Sequence, residues 1–143
     1  MTIARLIAGR GTEIWSCHAD DSFADAVEML ATRRIGALPV RDSNSSVAGI
    51  FSERDVLYCL HKHGAAALAL KVREVMTATP ITIAPGTQVL DALGLMTRRR
   101  IRHLPVVDNG KLVAFVSIGD LVKYRIDTIE AEAEALRSYI QTA

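Results

Sequence analysis

Residues 21–42, DSFADAVEMLATRRIGALPVRD, set the reading of this chain, because residues 87–108, TQVLDALGLMTRRRIRHLPVVD, repeat them without a gap at an offset of 66. Nine of the 22 aligned pairs are identical: Asp25/Asp91, Ala26/Ala92, Arg33/Arg99, Arg34/Arg100, Ile35/Ile101, Leu38/Leu104, Pro39/Pro105, Val40/Val106 and Asp42/Asp108. One residue is dropped in the following turn, and Ser52-x-x-Asp55 then aligns with Ser117-x-x-Asp120. A repeat of this size rarely buries its own hydrophobic face, so the two copies are expected to pack together. Duplicated packing also creates duplicated clefts.

Working outward, each copy carries the same order of elements. A short apolar segment leads (Ile3, Leu6, Ile7; then Val72, Val75, Met76), and a strand is expected over residues 13–17 and again over 80–84. An amphipathic helix follows, with Phe23, Ala26, Val27 and Leu30 on one stripe and Val89, Ala92, Leu93 and Met96 on the other. Asp21 or Ser22 is read as the first N-cap, and Thr87 as the second. A strand begins at each Leu-Pro-Val, where proline, lacking an N–H, belongs at a strand start or edge. A hairpin then turns at Asp108-Asn109-Gly110-Lys111, whose Asn-Gly tolerates positive φ at both positions, and at the longer Ser43-Asn44-Ser45-Ser46. The unit is strand, helix, strand, strand, helix, used twice: an α+β chain.

The division predicted is a first repeat over 1–64, a linker over 65–71, a second repeat over 72–126 and a C-terminal amphipathic helix over 127–143. In that last helix Ile126, Ile129, Ala133, Leu136 and Ile140 step by 3, 4, 3 and 4, the spacing of a coiled-coil seam. Two readings stand: a tail packed on its own domain, or a dimer contact.

Composition narrows the function classes. With 143 residues, 50% of them hydrophobic and 23% charged, the chain has enough apolar material for one compact domain. A net charge of +1 gives no general attraction to nucleic acid or to an anionic membrane. The longest strongly apolar stretch, residues 65–70, is far too short to span a bilayer. No signal-peptide pattern is read at the N-terminus, and Cys17 and Cys59 occupy unmatched repeat positions without a ligand cluster, so a reducing cytoplasm is expected. No nucleophile with an obvious base, no metal motif and no P-loop is present, and His18, His61, His63 and His103 are scattered. Catalytic and metal-binding residues are therefore expected to be absent.

What repeats with chemical meaning is Ser-x-x-Asp at a strand-to-helix junction. It sets a hydroxyl and a carboxylate beside the free N–H groups of a helix's first turn. Such a terminus attracts phosphate, and a carboxylate accepts from both hydroxyls of a ribose. The same residues also serve as an N-cap and a first-turn acid without any ligand. Spacing alone leaves both roles open.

The stretches IGALPV (35–40) with GIFSERD (49–55), and IRHLPV (101–106) with FVSIGD (115–120), resemble the two halves of a tandem CBS-domain pair, also called a Bateman module. The resemblance covers the chain to about residue 126, and LMTRRRIRHLPVVDNGKLVAFVSIGDLVK (95–123) is similar to small stand-alone bacterial CBS-pair proteins. It implies two βαββα units packed as a pseudo-two-fold pair, with two adenosyl-nucleotide clefts between them. One cleft would use Asp120 for the ribose and Ser117 for phosphate or ribose, with Ile35 and Gly36 on the adenine side, Trp15 nearby and His103 near phosphate. The other would use Asp55 and Ser52, facing Ile101, Arg102 and Ile81, with Arg54 reaching a phosphate. Arg102-His103 stands where the first repeat has Gly36-Ala37, so the clefts are expected to differ, the Asp55–Arg102 cleft favouring more phosphate. Arg98, Arg99 and Arg100, a basic run with Arg102 and His103, are read either as a solvated helix end, where cations favour the C-terminal dipole, or as functional.

The resulting expectation is a non-enzymatic sensor of AMP, ADP, ATP or NAD(H), a homodimer joined along its C-terminal helix, with an output to a regulated protein in trans. The alternative is a structural or interaction module with degenerate or empty clefts, supported by Trp15 standing where the second repeat has Ile81.

Overall fold

The computed structural model describes residues 1–10, 13–43 and 46–142. The first repeat comprises β1 (Cys17–His18), α2 (Phe23–Arg33), β2 (Ala37–Arg41), β3 (Val47–Ser52) and α3 (Glu53–His63), preceded by α1 (Ile3–Ala8). A 3-10 segment (Gly64–Ala69) leads to α4 (Val72–Val75) and β4 (Thr77–Ala78). The second repeat then runs through α5 (Val89–Arg99), β5 (His103–Asp108), β6 (Lys111–Ser117) and α6 (Ile118–Thr142). The helix that closes this repeat and the C-terminal tail are thus one continuous α6.

Local chemistry explains most of these bounds. α2 buries Phe23, Ala26 and Leu30, three and four residues apart, and Ser22 caps it by accepting from the Asp25 N–H at 3.0 Å. α2 and α5 both end on an arginine in the left-handed conformation, Arg34 (φ 53°) and Arg100 (φ 54°). Both positions of the Asn109-Gly110 turn have positive φ, 51° and 76°, as a two-residue hairpin requires. In the first hairpin, Asn44 and Ser45 lie outside the described residues.

Three expectations are corrected. Thr87 does not cap α5; Gln88 holds that position without a side-chain bond. Thr87 is engaged through its backbone instead, its carbonyl accepting from the Ile3 N–H at 2.8 Å, because the N-terminus pairs there. The strand expected over 13–17 is reduced to Cys17–His18. The one expected over 80–84 does not form. The chain pairs earlier, through β4 against β3, and then turns at Thr79 (φ 53°), leaving Ile83 as an isolated bridge to Val106. Pro80 has no N–H with which to extend a ladder.

The sheets reflect this. One has the order β1-β2-β3-β4, the other β5-β6, and each hairpin has a register shift at the equivalent place, Val40/Arg41 and Val106/Val107.

The apolar core is divided in two, and each half is completed by a segment from outside its own repeat. One half joins Phe23, Leu38, Val40 and Phe51 to Ala67 and Val72, which follow the first repeat's last helix. The other joins Val89, Met96, Leu104, Val116 and Leu121 to Ile3 and Leu6 of α1. Backbone pairing fixes both attachments: Thr2 bridges Gln88, and Ser22 bridges Lys71. Phe23 and Phe51 meet edge to face at 5.9 Å, worth about 0.5–1.5 kcal/mol beyond their burial. Cys17 and Cys59 are free thiols; burial, aided by Asp21, pushes Cys17 up to about 12.

Candidate functional site

The repeated Ser-x-x-Asp folds the same way twice. Ser52 Oγ accepts from the Asp55 N–H at 3.3 Å, and Asp55 Oδ2 accepts from the Ser52 N–H at 2.9 Å. Ser117 Oγ accepts from the Asp120 N–H at 3.2 Å, and Asp120 Oδ2 accepts from the Ser117 N–H at 2.8 Å. Each pair is therefore a capping box at the start of α3 or α6. The cap occupies Oδ2 of each aspartate and leaves Oδ1 to be met by another group. The capping and ligand-binding roles are thus compatible.

What meets Oδ1 differs between the repeats. Arg10 Nη2 stands 2.9 Å from Asp120 Oδ1, whereas Asp55 Oδ1 accepts from the Thr77 hydroxyl at 3.1 Å. Both partners come from the segment leading into the opposite repeat. Partial burial would raise the Asp120 pKa, but the Ser117 backbone bond and the Arg10 guanidinium outweigh it, and the carboxyl is held below the usual 3.8.

Two cavities open beside these aspartates. Cleft one, about 610 Å³, is lined by Ser117 and Asp120 from the second repeat and by Trp15, Ile35 and Gly36 from the first, with Arg10, Glu13, Arg34, His103 and Phe115. Cleft two, about 580 Å³, is lined by Ser52, Arg54 and Asp55 from the first repeat and by Ile81, Ile101 and Arg102 from the second, with Tyr58, Thr77 and Arg100. Both volumes suit a small organic ligand. The residues expected for each site thus line one cavity together, Gly36 and His103 lining both. Arg100 lines cleft two, while Arg98 and Arg99 lie on the exposed end of α5 outside both linings.

Backbone bonds tie the parts together. The Gly36 carbonyl accepts from the Glu53 N–H at 3.0 Å, and the Arg102 carbonyl from the Ile118 N–H at 2.8 Å. In each repeat the residue before Ala-Leu-Pro or His-Leu-Pro is thereby locked to the first residue of the following helix. Arg34 and Arg100, held at positive φ where a bulky side chain rarely sits, line clefts one and two respectively.

Trp15 lines cleft one without filling it. Its indole N–H donates to Glu13 at 3.2 Å, and the Arg33 guanidinium lies 4.8 Å from the ring centroid. His103, expected near cleft one, lines both cavities with Gly36. Its ring stacks on Phe115 at 5.4 Å. Burial lowers its pKa below 6.5, with Asp120 and Glu53 opposing and Arg102 reinforcing that shift.

Sequence reading missed Arg10, Glu13, Arg34 and Phe115 in cleft one and Tyr58, Thr77 and Arg100 as assigned members of cleft two. Arg34 and Arg100 carried a signal, being an identical pair just before Ile-x-x-Leu-Pro. Arg10 carried none, because its loop has no counterpart at the same spacing.

Comparison with known proteins places the arrangement. A model of the CBS domain matches the chain twice, over residues 11–62 and 72–127. The mitochondrial CBS domain-containing protein CBSX3 of Arabidopsis thaliana is 38% identical over 135 residues, 92% of this chain and 65% of that protein. The inosine-5'-monophosphate dehydrogenase of Mycobacterium leprae is 38% identical over 124 residues, 85% of this chain but 22% of the enzyme. The chain thus spans less than two thirds of the length of these relatives. Among solved structures, the CBS-domain containing protein ATU1752 from Agrobacterium tumefaciens superposes with a TM-score of 0.81 at 34% identity, covering 87% of this chain and 92% of that one. CBSX2 of Arabidopsis thaliana, solved in complex with AMP, gives 0.73 at 29% identity over 81% and 90%.

Proposed function

This chain belongs to the CBS-domain family, and from that membership we propose that it is a non-enzymatic sensor binding an adenine nucleotide (AMP, ADP, ATP or NAD(H)) in one or both clefts. One observation carries the reading. In each cleft a capped serine–aspartate pair from one repeat faces the residues preceding Leu-Pro of the other, so a ligand that spans them bridges the repeats. The AMP complex of CBSX2, at 29% identity, supports the ligand class.

The roles follow from position. Asp120 and Asp55 offer Oδ1 to ribose hydroxyls, Ser117 and Ser52 sit at helix N-termini beside phosphate, and Ile35 and Ile101 provide apolar contact for the base. Arg54, Arg100 and Arg102 make cleft two the more cationic, suiting a ligand with more phosphate. Bridging the repeats biases the populations of module conformations, and a regulated protein in trans reads that change. The chain acts as a homodimer through α6, on which Val122, Ile126, Ile129, Leu136 and Ile140 are exposed.

Thermal denaturation with each nucleotide tests the reading. A ligand at 100 times its Kd stabilises by about 2.7 kcal/mol, a rise of about 10 °C for a domain of this size. Asp120→Asn and Asp55→Asn are expected each to remove one site. No shift with any adenine nucleotide at millimolar concentration refutes it, and favours an interaction module with empty clefts.

A further inference from the structure

The two aspartates are held by groups of different charge, and this difference has a consequence for ligand choice. Asp55 Oδ1 faces a neutral hydroxyl, that of Thr77. Asp120 Oδ1 faces the Arg10 guanidinium at 2.9 Å, while its Oδ2 is committed to the cap. A ribose seeking Asp120 therefore competes with a cation for the same oxygen. Arg10 lines the same cavity as Arg34 and His103, and its side chain is 37% exposed. It lies just past the Gly9 cap of α1, its backbone N–H donating to the Ile7 carbonyl at 3.0 Å, so its base is held while its side chain is long. The other carboxylate in the cavity, Glu13, is bonded to the Trp15 indole.

A neutral nucleoside in this cleft would loosen the Arg10–Asp120 pair and offer the guanidinium no anion in return. The pair is partly exposed and its loss costs little by itself, so what distinguishes ligands is whether they give the guanidinium a new anion. A nucleoside phosphate offers the exchange: its ribose takes the carboxylate and its phosphate takes the guanidinium, which matches phosphate oxygens bidentately. We propose that Arg10 is the specificity residue of cleft one, pairing with Asp120 in the free protein and with the ligand's phosphate in the bound one, so that the cleft prefers phosphorylated nucleosides to nucleosides. The inference rests on the nucleotide reading above. It predicts different responses for two ligands, since removing Arg10 takes a partner from AMP and only a competitor from adenosine.

Calorimetric titration of AMP and of adenosine tests it, in the Asp55→Asn protein so that only cleft one retains its aspartate. AMP is expected to bind tighter than adenosine by about tenfold or more. Arg10→Ala is expected to weaken AMP by a similar factor, leave adenosine unchanged or tighter, and bring the ratio close to one. Arg10→Lys, which keeps the charge, is expected to retain part of the preference. A melting curve for each variant confirms that it is folded. AMP binding with an AMP-to-adenosine ratio unmoved by Arg10→Ala overturns this inference alone. Failure of AMP to bind even the unsubstituted protein overturns the nucleotide reading, and this inference with it.

Discussion

Replacing Gly49 by alanine is expected to loosen the junction between the repeats at one defined point. Gly49 lies in β3 opposite Ala78 of β4, the strand by which the second repeat's leading segment joins the first repeat's sheet. A Cβ at Gly49 would stand 2.6 Å from the Thr77 carbonyl oxygen and 2.8 Å from Met76 Sδ. The methionine side chain has room to rotate, but the carbonyl moves only if β4 moves. Overpacking of this kind costs about 1–3 kcal/mol. At about 4 °C per kcal/mol, that lowers Tm by about 4–12 °C. The damage is also directional. β4 carries Thr77, which holds Asp55 Oδ1, so ligand binding in cleft two is expected to weaken while cleft one keeps its affinity. Calorimetric melting measures the first effect, and titration of Asp55→Asn and Asp120→Asn backgrounds separates the clefts. Gly86→Ala, where no atom lies within 4 Å of the new Cβ and φ is not positive, serves as the control and is expected to be neutral or slightly stabilising. A Gly49→Ala protein melting within about 1 °C of the original refutes the reasoning.

Two further outcomes follow from individual side chains. Burial depresses the His103 pKa below 6.5, so the unfolded chain binds more protons than the folded one between the depressed value and 6.5. Stability is then undiminished above pH 6.5 and falls as pH drops through that window, by at most about 1.4 kcal/mol per pH unit. The urea midpoint of the original protein is expected to fall more between pH 7.5 and 5.5, two pH values about one unit either side of the ordinary histidine pKa, than that of His103→Gln; equal falls refute it. On α6, Ile129 is 47% exposed within the apolar stripe. Ile129→Glu is expected to convert dimer to monomer in sedimentation, and an unchanged mass shows that the stripe is not the dimer contact.

The amino-acid order made the repeated unit plain, because periodicity and turn chemistry are local. Phe23, Ala26 and Leu30 mark a helix by their spacing, and Asn109-Gly110 marks a turn by its tolerance of positive φ. Ser52-x-x-Asp55 and Ser117-x-x-Asp120 likewise announced their junctions. Pairing between distant segments left no such mark. Residues 80–84 look like a strand, yet β4 forms just before them, because Gly49 leaves room for close backbone approach there and Thr79 turns the chain away. Thr87 looks like a cap, yet the N-terminus occupies its backbone. Arg10 acquires its role only by lying across from Asp120, more than a hundred residues along the chain.

The exchange of leading segments between the two core halves governs the order in which the chain acquires structure during synthesis. The half built on Phe23 and Phe51 is complete once Met76 and β4 have emerged, so it is able to close while the rest of the second repeat is still being made. α1 has no such early partner. Ile3 and Leu6 share their core with Leu104, Val116 and Leu121, which follow about a hundred residues later in the chain. α1 therefore has no cover until the second repeat has been made. Its docking on Leu104 and Leu121 closes a loop of about a hundred residues, and contacts of such high sequence separation form slowly. A nascent chain stalled before Leu121 would carry one finished core and one apolar helix still seeking cover.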